Sequence, residues 1–163
     1  MRMVTANGTT VEPATQADVD YVEENFREGE RLEHEACGGG RTRVGDFESC
    51  WAVRHAGELI GYCGVAVPAG MTAFAPGRWL CYMSCTNADR HKLMYVKESR
   101  AVMRLVVSQV PGHVAEFRSL PAAAYAASVR WHERVLRMRR LGEARINGEP
   151  FVVFAATREE IGG

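Results

Sequence analysis

The spacing of apolar residues along the chain predicts short strands and amphipathic helices in a mixed order. Residues 11–14 are typical of a short strand closed by a proline, and residues 15–18 (Thr-Gln-Ala-Asp) have the pattern of a helix capping box. Apolar side chains then recur at helical spacing up to Phe26, which predicts a first helix of about three turns. Residues 27–36 are strongly charged, with Leu32 their single large apolar residue, so we expect a short exposed helix there.

A β-hairpin is predicted in the next part of the chain. Residues 50–54 and 59–67 are two apolar runs separated by a glycine-containing turn, which is typical of adjacent antiparallel strands. Gly61 and Gly64 lie inside the second run and indicate either a bulge or a close approach of other backbone. Residues 68–77 are rich in small side chains and are predicted to form a loop.

A strand, a polar loop and a long helix are predicted between residues 78 and 109. The strand covers the apolar run 79–85, the loop covers 86–92, and an amphipathic pattern with a broad apolar face covers 93–109. Such a unit is a common place for a ligand, because a helix N-terminus offers unpaired N–H groups and the positive end of the helix dipole.

The C-terminal part of the chain is predicted to complete the sheet. Residues 114–118 alternate as a short strand, and Pro121 begins a second long helix that continues through Met138. Asn147-Gly148 is a strong signal for a tight hairpin turn. The strands of this hairpin are predicted at residues 141–146 and 151–157. The tail, residues 158–163, is predicted to be frayed.

The predicted order is β, α, α, β, β, β, α, β, α, β, β. An antiparallel meander that leads into βαβαβ predicts an α/β protein of the α+β kind, with a mixed central sheet flanked by helices. The length of 163 residues fits one domain. We therefore expect a single domain over residues 1–163, with an ordered core at about 9–158.

Composition and charge exclude several classes of function. The chain is 47% hydrophobic and 25% charged, and its 20 Lys and Arg balance its 20 Asp and Glu, so no net field favours nucleic acid or an anionic membrane. The five cysteines are an odd number, and several lie in apolar runs, which indicates buried thiols in a reducing compartment. No zinc pattern and no signal or membrane-spanning run is present. We expect a cytoplasmic protein without a metal.

Three segments carry a resemblance to a known family. Residues 11–18 are similar to a first strand and helix start, residues 58–63 to a third strand after a tight turn, and residues 128–135 to a late helix. In this order and spacing they resemble the GNAT (Gcn5-related N-acetyltransferase) fold over nearly the whole chain. The resemblance implies an acyl-CoA-dependent transferase that binds acetyl-CoA.

The loop after the residue 79–85 strand departs from that family. The family has a Gln/Arg-x-x-Gly-x-Gly/Ala loop that wraps the coenzyme pyrophosphate with backbone N–H groups, whereas residues 89–94 contain no glycine. The resemblance implies that the backbone of Met83, Ser84 and Cys85 contacts the pantetheine arm. Two interpretations stay open for the loop. One is a cationic cluster that binds phosphate; the other is a solvated helix start. The cluster would consist of Arg90, His91 and Lys92.

The candidate catalytic residues also follow from the resemblance. His132 replaces a tyrosine that often acts as general acid in the family, and either protonates the leaving thiolate or is a plain helix residue. Glu116, on the predicted strand after the main helix, is either the general base or a solvent-facing strand residue. Tyr82 is either a second candidate for the general base or the proton donor, or a core aromatic. Cys85 is expected to be a buried thiol.

Two functional hypotheses follow. The first is an N-acyltransferase that transfers an acetyl or acyl group from acyl-CoA to an amine of a small molecule or a protein. The second is a non-catalytic GNAT-fold protein of a phage or prophage that contacts virion proteins, because the glycine-free loop and residues 129–131 resemble GNAT-like proteins of tailed phages. In that case the protein would be virion-associated.

Overall fold

The computed structural model describes residues 1–67 and 78–162 and contains eight strands in one sheet. The residues 68–77, where a loop is predicted, lie outside the described part. The strands are β1 (Met3–Val4), β2 (Thr10–Pro13), β3 (Ser49–His55), β4 (Glu58–Ala66), β5 (Arg78–Cys85), β6 (Glu116–Ser119), β7 (Arg139–Ile146) and β8 (Glu149–Thr157).

Five α-helices accompany the sheet in the described residues. They are α1 (Gln16–Glu24), α2 (Glu28–Ala36), α3 (Lys92–Ser108), α4 (Ala126–Arg134) and α5 (Arg158–Gly162). Short 3-10 turns at Val44–Asp46 and Asp89–His91 precede β3 and α3. None of the described helices is long and apolar enough to cross a membrane.

The sheet has the spatial order β1-β2-β3-β4-β5-β6-β8-β7. Neighbouring strands are antiparallel except β5 and β6, which are parallel because α3 carries the chain back to the starting edge between them. This arrangement confirms the predicted mixed sheet. The Asn147-Gly148 turn between β7 and β8 is also confirmed, and both residues adopt the positive φ that a tight hairpin turn requires.

The core divides into two clusters because successive residues of a strand point to opposite faces. Met103 and Val106 of α3 pack with Phe117 and Phe154 in the larger cluster. The smaller cluster lies under α1, whose buried Val19 and Val22 pack with residues of β3 and β4. The α1 capping box is confirmed, since the Thr15 hydroxyl accepts from Asp18 N–H and the Asp18 carboxylate accepts from Thr15 N–H.

The two glycines of β4 permit the close approach of neighbouring groups, which was one of the two predicted alternatives. A Cβ built on Gly61 would lie 2.5 Å from the Ser84 carbonyl oxygen, and one on Gly64 would lie 2.5 Å from the Phe47 ring. A register shift also occurs where Arg54 of β3 pairs with β4. Glycine is therefore needed where β4 passes β5 and where the segment before β3 folds over β4.

The predicted helix from Pro121 to Met138 is too long. The structure limits α4 to nine residues, because Arg137 adopts a left-handed conformation (φ 56°) that a helix interior does not accommodate. Leu136 N–H donates to the Trp131 carbonyl, and Met138 N–H donates to that of His132, which closes the helix end. The arginines at 139 and 140 therefore belong to β7.

The prediction of a frayed C-terminal tail is wrong. Residues Arg158–Gly162 form α5, whose Ile161 is 3% exposed and belongs to the larger core cluster. The Arg158 guanidinium donates to the carbonyls of Val107, Val110 and Pro111, which ties this helix to the end of α3. A single arginine thereby bonds three carbonyls at and just beyond the end of α3.

Candidate functional site

The parallel strands β5 and β6 separate within the sheet. Their pairing covers Arg78–Leu80 and Glu116–Arg118. Beyond it, β5 continues to Cys85 bonded to β4, while Ser119 of β6 pairs with Phe154 of β8. One edge of residues 81–85 therefore faces an opening rather than a neighbouring strand. We call this opening the split.

A small cavity of about 90 Å³ lies in the split. Two larger clefts adjoin it, and they share lining residues with it. The α3–α4 cleft, about 330 Å³, lies between the first turns of α3 and the length of α4. The α2 cleft, about 400 Å³, lies beneath α2 and beside Phe47 and Tyr62. Of the residues that the structure describes, Glu30 alone lines the cavity and both clefts.

Two carboxylates of α2 point into this region. Burial and the charge of Glu33 together raise the pKa of Glu30 to about 8, against the opposing effects of Arg27 and a backbone hydrogen bond from Cys85. Burial also raises the pKa of Glu33 to about 7. The Glu33 Oε1 atom accepts a hydrogen bond of 2.5 Å from Ala122 N–H, which joins α2 to the segment after β6.

The predicted exposed helix at residues 27–36 is thus only partly correct. Leu32 is exposed as expected, but Gly29, Glu30 and Glu33 are half-buried on the opposite face. A Cβ at Gly29 would lie 2.2 Å from the Tyr125 ring, so the absence of a side chain there lets α2 lie directly against the residue before α4.

His132 lies in the split cavity, where it is 5% exposed and stacked on Phe154. Its Nδ1 atom is 2.7 Å from the Ser128 carbonyl oxygen, so Nδ1 carries the proton. Its Nε2 atom then accepts the hydroxyl proton of Ser119 at 2.8 Å. Burial lowers the pKa of His132 to about 4, so the imidazole is neutral at neutral pH.

Tyr82 also borders the split cavity, and it faces the α2 cleft as well. Its ring contacts Phe47 edge-on at 5.7 Å, and burial raises the pKa of its hydroxyl. Met83, Ser84 and Cys85 follow it along β5. Met83 and Ser84 line the split cavity and Cys85 lines the α3–α4 cleft. The structure therefore brings His132, Tyr82 and the predicted pantetheine-binding strand together.

Glu116 lies apart from these residues. It is at the start of β6, opposite Arg78, where the two strands are still paired. Its carboxylate accepts a hydrogen bond of 2.8 Å from Arg118 Nε and lies 3.4 Å from Arg78 Nε. The structure does not place Glu116 with His132 and Tyr82 in the cavity.

The predicted cationic cluster of the loop is divided. Arg90 and His91 both contact the carboxylate of Glu58 at the β3–β4 turn, at 2.5 Å each. The hydrogen bonds from these two side chains hold the pKa of Glu58 below its usual range. Lys92, the first residue of α3, instead lines the α3–α4 cleft.

Other cations complete the α3–α4 cleft. Arg27, Arg130 and Arg134 line it together with Lys92. The Arg27 guanidinium lies 4.3 Å from the centre of the Tyr95 ring, and its Nε donates to the Thr86 carbonyl. Within the described part of the chain, Arg27 Nη2 is the one buried side-chain nitrogen or oxygen without a hydrogen-bond partner. A buried donor without a partner is costly and indicates a place for an acceptor.

Sequence reasoning missed Glu30, Glu33, Arg27 and Ser119. The first three recur at helical spacing, so a shared helix face was visible in the sequence. The direction of that face was not, because α2 contributes no large apolar residue to the core. Ser119 ends a short strand, and only the fold brings it to His132. In residues 1–67 and 78–162, no group of three or more His, Cys, Asp or Glu side chains is placed to hold a metal ion.

Comparison with known proteins identifies the fold. No family model matches the sequence, and no curated protein matches it. Among solved structures, aminoglycoside acetyltransferase AAC(6')-Ib in complex with coenzyme A matches with a TM-score of 0.70 at 20% identity, over 94% of this chain and 96% of that one. AAC(6')-Ib in complex with ribostamycin and coenzyme A matches with a TM-score of 0.68 at 19% identity, over 93% and 94%.

A GNAT-family acetyltransferase from Bacillus anthracis matches with a TM-score of 0.68 at 13% identity, over 98% of this chain and 99% of that one. The mixed sheet and its flanking helices are thus shared over almost the full length of each protein. The fold expected from the sequence is confirmed: the chain has the fold of the GNAT acetyltransferases.

Proposed function

We propose that the protein is a cytoplasmic N-acetyltransferase that transfers an acetyl group from acetyl-CoA to an amine. The observation that carries this proposal is the split between β5 and β6, which joins a cationic cleft on one side to a carboxylate-lined cleft on the other. An acyl donor and an amine acceptor entering from opposite sides would meet there. The fold is one that binds coenzyme A in AAC(6')-Ib.

The α3–α4 cleft suits an anionic coenzyme. Lys92, Arg130 and Arg134 are exposed on it and form no ion pair within the described residues. The partnerless Arg27 Nη2 offers a further donor. Phosphate groups are held well by clustered cationic side chains, so these residues would do the work of the missing glycine loop. Coenzyme A, when bound, supplies the thioester that acylates the amine.

The exposed edge of β5 suits the pantetheine arm. Met83, Ser84 and Cys85 pair with β4 on one side only, and their other edge faces the split. Peptide groups on such an edge can bond an extended amide-containing chain, except for the Cys85 N–H, which donates to Glu30. Tyr82 and His132 border the same cavity. Tyr82 is the candidate to donate a proton toward the leaving sulfur, whereas the neutral His132 accepts the Ser119 hydroxyl proton at Nε2 and would act through that hydroxyl.

The proposed acceptor is a small molecule. AAC(6')-Ib, which has the same fold, is an aminoglycoside acetyltransferase and binds ribostamycin together with coenzyme A. The α2 cleft is large enough for part of such a molecule, at about 400 Å³. An exposed amine of a protein would be the other acceptor of the same chemistry.

Coenzyme A binding tests the proposal by calorimetry and thermal shift. Addition of coenzyme A should raise the melting temperature of the wild-type protein, because a ligand that binds the folded state stabilises it. Lys92→Ala should weaken coenzyme affinity about tenfold, the loss of roughly 1.4 kcal/mol. Lys97→Ala removes the same charge from α3 outside the cleft and is the matched control.

Arg90→Ala tests the predicted cluster in the same assay. Because Arg90 pairs with Glu58, we expect coenzyme affinity to stay within about twofold of the wild type. A loss as large as that of Lys92→Ala would instead support phosphate binding by Arg90 and His91.

The absence of any thermal shift or binding heat with coenzyme A would contradict the transferase proposal. The non-catalytic role with virion proteins would then be the remaining hypothesis, and it receives no support from the solved structures named above.

A further inference from the structure

We propose that Glu30 is the catalytic base that deprotonates the acceptor amine, with Glu33 as the residue that positions and tunes it. This inference rests on the proposed transferase function. It adds that the acceptor enters through the α2 cleft as an ammonium ion, and that the base comes from α2 rather than from Glu116 on β6.

Glu30 occupies the position that a general base needs. A base must reach the attacking nitrogen while that nitrogen reaches the thioester carbon. Glu30 lines the α3–α4 cleft, the split cavity and the α2 cleft, so its side chain lies where a donor from one side and an acceptor from the other side meet. Glu116 lines none of these three spaces.

Backbone groups on both sides of the split hold the two carboxylates. Glu30 receives a backbone hydrogen bond from Cys85, at the end of the β5 edge that borders the split. Glu33 is fixed by Ala122 N–H on the opposite side of the split. The pair therefore spans the opening, and both side chains are anchored to backbone on its two sides.

The proton affinity of Glu30 also suits a base. Burial and the neighbouring charge of Glu33 raise the pKa of Glu30 to about 8, whereas an ordinary carboxylate would be too weak a base for an alkylammonium ion. A base with a pKa near the working pH is the most effective. An ammonium ion bound between two carboxylates also offsets the cost of keeping both of them ionised.

The acceptor R–NH3⁺ loses one proton to the Glu30 carboxylate, and its nitrogen then forms a C–N bond with the thioester carbonyl carbon as the C–S bond breaks. The departing sulfur takes the Tyr82 hydroxyl proton and leaves as a thiol, and the second proton of the nitrogen restores the Tyr82 hydroxyl. Glu30 releases its proton to solvent, so an amide, coenzyme A and one proton are the products.

The test uses Glu30→Gln, Glu33→Gln and, as control, Glu28→Gln. Glu28 is on the same helix and exposed, and lies outside the cavity and both clefts. Ribostamycin and spermidine serve as amine probes with acetyl-CoA. Release of free thiol is followed from pH 5.5 to 9.5, and binding of coenzyme A is measured separately for every variant.

We expect Glu30→Gln to lower kcat/KM at least 100-fold without weakening coenzyme A binding, because the change removes a carboxylate and no cation from the α3–α4 cleft. The wild-type kcat/KM should rise with pH through an acid limb near pH 8, and this limb should be absent from Glu30→Gln. Glu33→Gln should shift the limb to lower pH, because the charge that raises the Glu30 pKa is gone. Glu28→Gln should match the wild type.

A wild-type-like rate and pH profile in Glu30→Gln would overturn the proposal and leave the transferase function standing. Failure of the wild type to bind coenzyme A would remove both. If neither probe is acetylated, ¹³C NMR of carboxyl-labelled glutamates decides: the Glu30 signal should titrate above pH 6 and shift when spermidine is added. Titration near the usual glutamate pKa without a response to spermidine would overturn the proposal.

Discussion

At the scale of single residues, the site is built on groups whose burial changes their proton affinity. Glu30 and Glu33 of α2 keep raised pKa values because few compensating partners surround them, whereas the neutral His132 is satisfied by the Ser128 carbonyl and the Ser119 hydroxyl. Burial of the ionised form is therefore unfavourable at the two carboxylates, whereas the neutral histidine is buried with both ring nitrogens hydrogen-bonded. Such a cost is typical of residues retained for chemistry.

Glu30→Gln is expected to stabilise the protein at alkaline pH. The folded pKa of about 8 exceeds the unfolded value of 4.5, so the native state binds more protons between these values and wild-type stability falls as pH rises through them. Glu30→Gln has no titrating carboxylate at this position, so its free energy of unfolding does not fall with pH in this way. Urea unfolding at pH 5 and pH 9 should show a gain for Glu30→Gln over the wild type that is larger at pH 9, and Glu28→Gln should show no such difference.

At the scale of elements, close contacts between strands and helices decide where the site lies. Gly61 lets β4 pass β5 closely, and Gly29 lets α2 lie on Tyr125. The short α4 ends where Arg137 turns the chain into β7. Each of these contacts holds one wall of the split or of its two clefts.

Gly61→Ala should destabilise the protein by about 1–3 kcal/mol, the usual cost of overpacking. Its Cβ would lie 2.5 Å from the Ser84 carbonyl oxygen, which is backbone and cannot rotate away. Gly45→Ala is the control, because nothing lies within 4 Å of a Cβ there. Equal urea midpoints for the two variants would contradict the close approach.

Arg137→Gly should stabilise the protein by roughly 1 kcal/mol relative to Arg137→Ala. Both substitutions remove the side chain, but only glycine adopts φ 56° without the steric cost that other L-residues have there. Thermal unfolding of the pair isolates this backbone effect from the loss of charge. Identical melting temperatures would show that the turn relaxes in the alanine variant.

At the scale of the whole molecule, charge is balanced overall and separated locally. The chain has no net charge, yet the α3–α4 cleft is lined by four cations, while carboxylates of α2 line the cleft on the other side. The cations of the α3–α4 cleft suit an anionic donor. The α2 carboxylates suit a cationic acceptor once they are ionised, because burial raises the pKa of Glu30 to about 8 and that of Glu33 to about 7. Net charge alone does not reveal this arrangement.

Coenzyme A affinity should therefore depend on salt. Raising the salt concentration from about 0.05 M to about 0.5 M should weaken binding several-fold in the wild type, because exposed charges are screened beyond a few ångströms. The dependence should be shallower in Lys92→Ala and unchanged in Lys97→Ala. Calorimetry at several salt concentrations measures it, and a salt-independent affinity would contradict a cationic coenzyme site.

The sequence by itself determined the elements and their order. Apolar periodicity located most strands and helices, and the 15–18 capping box and the Asn147-Gly148 turn were read directly, because local chemistry fixes helix starts and tight turns. The absence of glycine from residues 89–94 is likewise a property of the sequence alone. Apolar periodicity did not predict the early end of α4 or the presence of α5, because both depend on long-range contacts. Arg158 and Ile161 hold α5 against the rest of the fold.

Only the tertiary structure decided which polar residues meet. Arg90 and His91 are adjacent to Lys92 in the sequence. In the structure they contact Glu58 of the β3–β4 turn, and only Lys92 of the three lines the α3–α4 cleft. Glu30, on a helix without large buried side chains, comes to the centre of the site because Gly29 allows α2 to lie against Tyr125. The burial and the pKa of a side chain depend on the groups that surround it in space. These neighbours are distant in the sequence, and only folding brings them together.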